Sequence, residues 1–320
     1  MIRIPQNFRI ENPGHSDAYY SILSNLEKLS KEILGRSEIT ASDLRLIKTD
    51  NDDVDLLIKT AEGKEFLARI SADERLANEI FVYRNMWDNG IRAPKVLAYD
   101  ISKRALPYIY EIIENLSGNP PTELSSKTFY SAGVAVGTIL RNLHNIEVVG
   151  FGAVGQGFDF QDESWLAALE RYTRSSLDEE AAEEAFGRVI IDRVYENTIY
   201  NKTLNLNQSR LIHGAISDKN VLILRKPNGY VLINPGMLVG GDPMFDLASS
   251  SIPLSRKQFS NGVATGYRQL TENEIYRLRR MRLLLLFLAA TRLFKENDKR
   301  FRTFKTIVHE ELKAIRKDHK

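Results

Sequence analysis

Hydrophobic residues repeat with two different periods in this chain, and that change of period constrains its fold more than any other feature. Leu44 and Leu46, then Val54, Leu56 and Ile58, alternate with polar neighbours. Alternation at period two sends successive side chains to opposite faces, so these segments read as strands with one solvated face. Ala61-Glu62-Gly63-Lys64 reads as the hairpin turn into a third strand at 65–70. Residues 16–33 before this group and 72–87 after it repeat at helical spacing. The first of these helices is expected to start at a Ser16 cap and to end at Gly35. Two further strands are expected at 96–99 and 108–113. The order is therefore helix, three strands, helix, two strands.

From about residue 125 the pattern is mostly helical. Helices are expected at 128–144, 165–175, 182–200, 271–294 and 301–315. The 128–144 segment carries small residues, Ala132, Gly133, Ala135 and Gly137, on one side, as a tightly packed helix would. Thr271-Glu-Asn-Glu274 reads as a capping box. Pro227-Asn228-Gly229 reads as the turn of a short hairpin between 222–224 and 230–233. Gly118 and Pro120-Pro121 interrupt both periodicities, which places a boundary near 115–121. The expected organisation is α+β: a small antiparallel-sheet lobe at 1–115 and a mostly helical lobe at 116–320. A chain of 320 residues is long for one compact unit and natural for two.

Composition narrows the function classes. A net charge of +2 argues against a dedicated nucleic-acid binder, whose affinity comes mainly from phosphate neutralisation. With no cysteine, disulfides, thiolate metal sites and cysteine nucleophiles are excluded. The longest apolar run, 283–290, is well short of the ~18 residues of a membrane span and reads as a buried helix. The N-terminal stretch has no apolar signal core. A cytoplasmic protein with no membrane partner is expected.

Three stretches carry the chemistry. His213-Gly214-Ala215-Ile216-Ser217-Asp218-Lys219-Asn220 lies between the apolar Leu211-Ile212 and Val221-Leu222-Ile223. An apolar run then delivers Asn234 in Val231-Leu232-Ile233-Asn234-Pro235-Gly236. Gly241-Asp242-Pro243-Met244-Phe245-Asp246-Leu247-Ala248 follows. Together they resemble the aminoglycoside phosphotransferase and choline kinase-like family, over about residues 39–267. The resemblance implies a bilobal protein-kinase-like fold, with ATP and Mg²⁺ as cofactors where the chemistry is retained and none where it is lost.

The family pattern has Asp where this chain has Ala215, and a metal-binding Asp where it has Asn234. The resemblance makes position 215 that of the catalytic base and leaves His213 in the loop frame. It assigns Asp246 the bracing of the loop backbone and places Asn220 and Asn234 at the metal positions. Removing a general base lowers rates by roughly 10²–10⁴-fold, and Mg²⁺ prefers hard, charged oxygen to an amide. Asp218, three residues beyond Ala215 in a tight loop, is not expected to substitute. In the small lobe the resemblance places Arg69 at the phosphate-binding cation, Glu79 as its helix partner, and Glu111 and Ile113 on the strand beside the nucleotide.

Other features bear on the same question. The first hairpin tip, Asp50-Asn51-Asp52-Asp53, has no glycine, and its carboxylates either repel phosphates or point to solvent. Gly150-Phe-Gly152-Ala-Val-Gly155 satisfies a dinucleotide fingerprint but follows a helix, so that reading fails. The acidic run Asp178-Glu179-Glu180-Ala-Ala-Glu183-Glu184 reads as acid at a helix start rather than as the acidic surface that binds polycationic substrates in the aminoglycoside-type kinases it resembles. The reading reached is a pseudokinase, a scaffold for a small molecule, peptide or protein partner without phosphotransfer. The alternative is an ATP-dependent small-molecule phosphotransferase, for aminoglycoside, choline or a similar hydroxyl acceptor, whose two Asp residues have been replaced.

Overall fold

A computed structural model describes residues 2–3, 16–50, 53–119, 126–225 and 229–317. The chain forms two compact units, Met1–Ser117 with Val154–Asp159, and Gly118–Ala153 with Phe160–Lys320. A single cut near residue 115 does not anticipate the return of 154–159 to the first unit.

The first unit contains β1 (Ile2–Arg3), α1 (Asp17–Ser24), α2 (Leu26–Arg36), β2 (Ala41–Asp50), β3 (Asp53–Thr60), β4 (Glu65–Ser71), α3 (Arg75–Asp88), β5 (Val96–Asp100) and β6 (Ile109–Glu114). The strands form one sheet in the order β1-β2-β3-β4-β6-β5. Only β1 pairs parallel; the other neighbours are antiparallel. Tyr19, Ile22, Leu26, Leu29 and Ile33 pack onto Leu46, Val54, Leu56, Ile58, Ile70 and Ile112 of one sheet face. Burying each such aliphatic side chain contributes about 1.5–3 kcal/mol.

The single helix expected over 16–33 is two. Ser16 caps the first, its hydroxyl accepting from Tyr19 N at 3.2 Å. Asn25 then leaves helical geometry, and its side-chain amide donates to the Ser21 carbonyl at 2.9 Å. A side chain that offers the backbone an alternative bond breaks a helix in this way. Gly35 lies inside α2, and Ser37 caps that helix. The first hairpin tip at 51–52 lies outside the described residues; the ladder beside it closes with Asp50 opposite Asp53.

The second unit contains β7 (Gly118–Asn119), α4 (Ser126–Leu143), β8 (Glu147–Val148), β9 (Phe151–Val154), β10 (Phe160–Asp162), α5 (Trp165–Ser176), α6 (Glu179–Phe186), α7 (Arg188–Asn197), β11 (Ser209–Leu211), β12 (Val221–Leu224), β13 (Gly229–Leu232), β14 (Gly240–Gly241), α8 (Pro243–Ser251), α9 (Lys257–Gly266), α10 (Glu272–Lys295) and α11 (Phe301–Lys317). Two small sheets run β10-β9-β14-β11-β8 and β13-β12-β7. The rest is helical, centred on α10. Leu283 to Ala290 of α10 are all buried, and both capping-box bonds between Thr271 and Glu274 form. The α11 helix docks Phe304, Val308, Leu312 and Ile315 into the same core. Among the described residues no helix is long and apolar enough to cross a membrane.

Two helical expectations change. Residues 182–200 divide at Gly187, whose φ of 74° ends α6 before α7 begins. The α9 helix was not anticipated: it buries only Phe259 and Val263 as apolar side chains, and its glycines bring its backbone against α4. A Cβ on Gly133 of α4 would lie 2.2 Å from the Phe259 carbonyl oxygen, and one on Gly262 of α9 would lie 2.9 Å from the Gly133 Cα. The small-residue face of α4 thus lies directly against α9. The turn residues Pro227 and Asn228, and the boundary residues Pro120 and Pro121, lie outside the described residues. The strands flanking that turn pair in register from Val221–Leu232 to Leu224–Gly229.

Candidate functional site

The 213–220 loop hangs between β11 and β12 and is shaped by its backbone. Ile212 N donates to Val239 O at 2.9 Å, and Gly236 N to His213 O at 2.8 Å. Gly214 has φ 77°, and a Cβ there would lie 2.2 Å from Leu238 O, so only glycine fits.

Asp246, buried in the first turns of α8, closes the loop. Its Oδ2 accepts from His213 N and its Oδ1 from Gly214 N, each at 2.7 Å. His144 Nε2 stands 3.1 Å from the same Oδ2, and its Nδ1 is 2.9 Å from the Tyr267 hydroxyl. Bonds from N–H groups to a carboxylate are about twice as strong as neutral ones. The expected brace position is thus a carboxylate with three partners.

His213 is fully buried, and neither ring nitrogen has a hydrogen bond among the described residues. Burial pushes its pKa down to about 4, against the opposing pulls of Asp246 and the Ile233 backbone. The ring is neutral at physiological pH.

Ala215 presents a methyl group to a pocket of about 380 Å³. Gly214, Ser217 and Asn220 also line it, and among the described residues no carboxylate does. Asn220 folds back on the loop, donating its amide to Ala215 O at 2.8 Å. Its nitrogen also stands 3.5 Å from Asn234 O. Asn234 sits at φ 54°, a left-handed conformation that Asn tolerates better than most residues. Asp218 does not offer a replacement acid. It is 5 % exposed, and its Oδ2 accepts from Arg256 N, at the start of α9, at 3.3 Å. The two positions that the resemblance assigns to metal hold amides, so the donor set does not fit the carboxylate site that Mg²⁺ favours.

In the first unit Arg69 sits on β4 with Asp55 opposite on β3 and Glu111 opposite on β6. Asp55 grips it with both oxygens, at 2.7 Å from Nε and 3.2 Å from Nη2. Glu79 of α3 takes Nη1 at 2.6 Å. Glu111 is wholly buried, stands 3.9 Å from Nη1, and has no hydrogen bond to either oxygen among the described residues. Burial, then Glu79, raises its pKa well above the usual carboxylate range. Ile113 is buried two residues along the same strand. Asp53, one pleat from Asp55, has its pKa raised to about 6 by burial, against a Ser71 hydrogen bond and Arg69.

The structure therefore brings Arg69, Glu79 and Glu111 together in one unit, and His213, Ala215, Asn220, Asn234 and Asp246 in the other. Sequence reasoning missed Asp55. Its signal is present: Asp53 and Asp55 occupy the polar phase of the β3 alternation, a pattern that a solvated face also shows. The acidic run at 178–184 resolves locally, since Asp178 caps α6 through Ala181 N at 3.0 Å and pairs with Lys295 at 2.7 Å.

The phosphotransferase enzyme family matches residues 43–284, and the chain belongs to it. A thermostable mutant of aminoglycoside phosphotransferase APH(4)-Ia is similar at TM-score 0.63 and 15 % identity, covering 92 % of this chain and 99 % of that one. A fructosamine-3-kinase, so named provisionally, from Haemophilus somnus 129PT is similar at TM-score 0.58 and 15 % identity, covering 90 % and 96 %. Amicoumacin kinase hAmiN, solved with AMP-PNP, Ca²⁺ and Ami, is similar at TM-score 0.61 and 12 % identity, covering 94 % and 95 %. The small lobe with an antiparallel sheet and the helical lobe are those of this kinase-like fold. No curated protein matches the chain.

Proposed function

We propose that this chain is a pseudokinase of the phosphotransferase enzyme family, a scaffold that binds a small molecule without transferring phosphate. One observation carries the reading. Asp246 holds the 213–220 loop in shape at 2.7 Å, while the pocket beside that loop presents Ala215 and, among the described residues, no carboxylate. Phosphoryl transfer relies on positioning and charge stabilisation, and a carboxylate both orients the attacking hydroxyl and holds metal. Neither role has a candidate on this loop, since Asp218 is engaged with Arg256 N.

The Arg69 cluster supports the same reading from the first unit. Asp55 and Glu79 take three of the five guanidinium N–H groups, which leaves two for phosphate oxygens. A second reading, an ATP-dependent phosphotransferase, draws support from one fact: the Arg69–Glu79 pair is intact at 2.6 Å. Relatives of this fold are solved with ADP or AMP-PNP, alongside hygromycin B. Thermal melting with and without Mg²⁺–ATP separates the readings. The scaffold reading expects no resolvable shift; a clear shift favours the enzyme.

A further inference from the structure

The pocket that Ala215 borders extends from the loop onto α10 and α5. Leu285, Leu288 and Ala289 form its floor from one side of α10. Ile252 and Leu254, which follow α8, add an apolar wall. Its volume, about 380 Å³, falls within the roughly 300–1,000 Å³ of small-molecule sites.

The charge on this apolar surface has one sign. Arg292, one turn beyond Leu288, is the single charged side chain in the lining among the described residues. Its ion-pair neighbour Glu296 is 3.8 Å away, more than half exposed, and outside the lining. Such an exposed i,i+4 pair contributes only about 0.3–0.5 kcal/mol and competes weakly with a ligand. Ser255 adds a second signal. Its backbone is fixed by a bond from its N–H to Ile252 O at 3.2 Å, yet its hydroxyl is buried and has no hydrogen-bond partner among the described residues. A ligand acceptor would satisfy it. Tyr172 also lines the pocket, as do Ser176, Ser217, Asn220 and Ser249.

The geometry points to a binding site for a small amphipathic acid, whose apolar body lies on Leu285, Leu288 and Ala289 and whose carboxylate pairs with Arg292. The Ser255 hydroxyl donates to an acceptor on the same ligand. The charge disfavours the opposite class: a polyamine would meet a guanidinium and, among the described residues of the lining, no acid. This inference rests on the reading of the pocket as a ligand site that does not transfer phosphate, and it names the ligand class.

Calorimetric titration with three matched probes tests it: 4-phenylbutyrate, its neutral amide 4-phenylbutanamide, and 4-phenylbutylamine. The acid is expected to bind about tenfold tighter than the amide, the strength of one charge-assisted contact, with the amine weakest. Arg292→Gln is expected to remove the preference for the acid and to leave amide affinity within about twofold. Retained amide binding also shows that the variant is folded. Ser255→Ala is expected to weaken both the acid and the amide. An amine that binds as tightly as the acid, a preference that survives Arg292→Gln, or no binding of any probe overturns the inference. ATP consumption is measured in the same samples. Turnover would overturn the scaffold reading while leaving the charge preference intact, so the two failures are distinguishable.

Discussion

Asp55 and Arg69 face each other across β3 and β4 and are joined by two hydrogen bonds, 2.7 Å to Nε and 3.2 Å to Nη2. A bidentate carboxylate fills the same fork of donors that would otherwise grip two phosphate oxygens. Glu79 and Glu111 approach the remaining side. Burial opposes the charge on Arg69, but Glu79 and Asp55 raise its pKa above the ordinary value, so it stays cationic. The cation that the family resemblance assigns to phosphate is thus paired with Asp55 from its own sheet and with Glu79 from α3.

Asp55→Asn should therefore free part of the Arg69 fork. The expected result is tighter binding of a fluorescent ADP analogue, by about tenfold, corresponding to roughly 1.4 kcal/mol. Unchanged affinity would show that Asp55 does not compete with phosphate.

The raised pKa of Asp53, about 6, makes a pH prediction with a definite sign. The folded state holds this proton more tightly than the unfolded chain does. Asp53 therefore favours folding below about pH 4, and that advantage disappears as pH rises through 6. Asp53→Asn should be more stable than the parent above pH 6, by about 1–3 kcal/mol, and equal to it below pH 4. Urea midpoints of the two proteins from pH 4 to 8 measure the difference. A constant gap across that range contradicts the assignment.

Asp246→Asn should be costly. One backbone N–H, at His213 or Gly214, would face a second donor in a buried site. Loss of about 2–4 kcal/mol is expected, because an orphaned buried donor loses its hydration as well as its partner. Chemical denaturation reads the loss. His213 points the other way in pH. Its pKa is lowered to about 4, so the stability tied to the neutral ring is lost as pH falls from 6.5 through 4.

Gly133→Ala should separate α4 from α9, since its Cβ would fall 2.2 Å from the Phe259 carbonyl oxygen. A backbone atom cannot turn aside as a side chain can. A loss of about 1–3 kcal/mol is expected. Because Gly133 and Gly262 touch, the Gly133→Ala/Gly262→Ala double variant should lose less than the sum of the single losses. Thermal melts of the four proteins report it, and strict additivity would count against direct contact.

Legibility in the sequence followed the physics of each element. β3, β4 and the turn between them were readable because alternation and a glycine turn are local signals. The α10 capping box was readable because four residues make both of its bonds. The α9 helix was not, because its stripe is short, Phe259 and Val263, and its glycines Gly262 and Gly266 pack on the α4 backbone. Asn25 broke a helix whose apolar spacing continued across the break. β1 is two residues long and carries no period. At the site, Ala215 and Asn234 were legible as substitutions in a motif. Asp55 was not, since its contact with Arg69 depends on strand register across β3 and β4. Asp218 was set aside on spacing, and its bond to Arg256 N gives the physical reason.

Phosphotransfer from Mg²⁺–ATP to aminoglycoside, choline and homoserine-like acceptors tests the central claim most directly, assayed on this sequence beside the Ala215→Asp/Asn234→Asp double variant. The account predicts no turnover by the parent chain. Any turnover gained by the double variant would show that the loop braced by Asp246 has kept its shape. Measurable Mg²⁺-dependent turnover by the parent sequence would contradict the account.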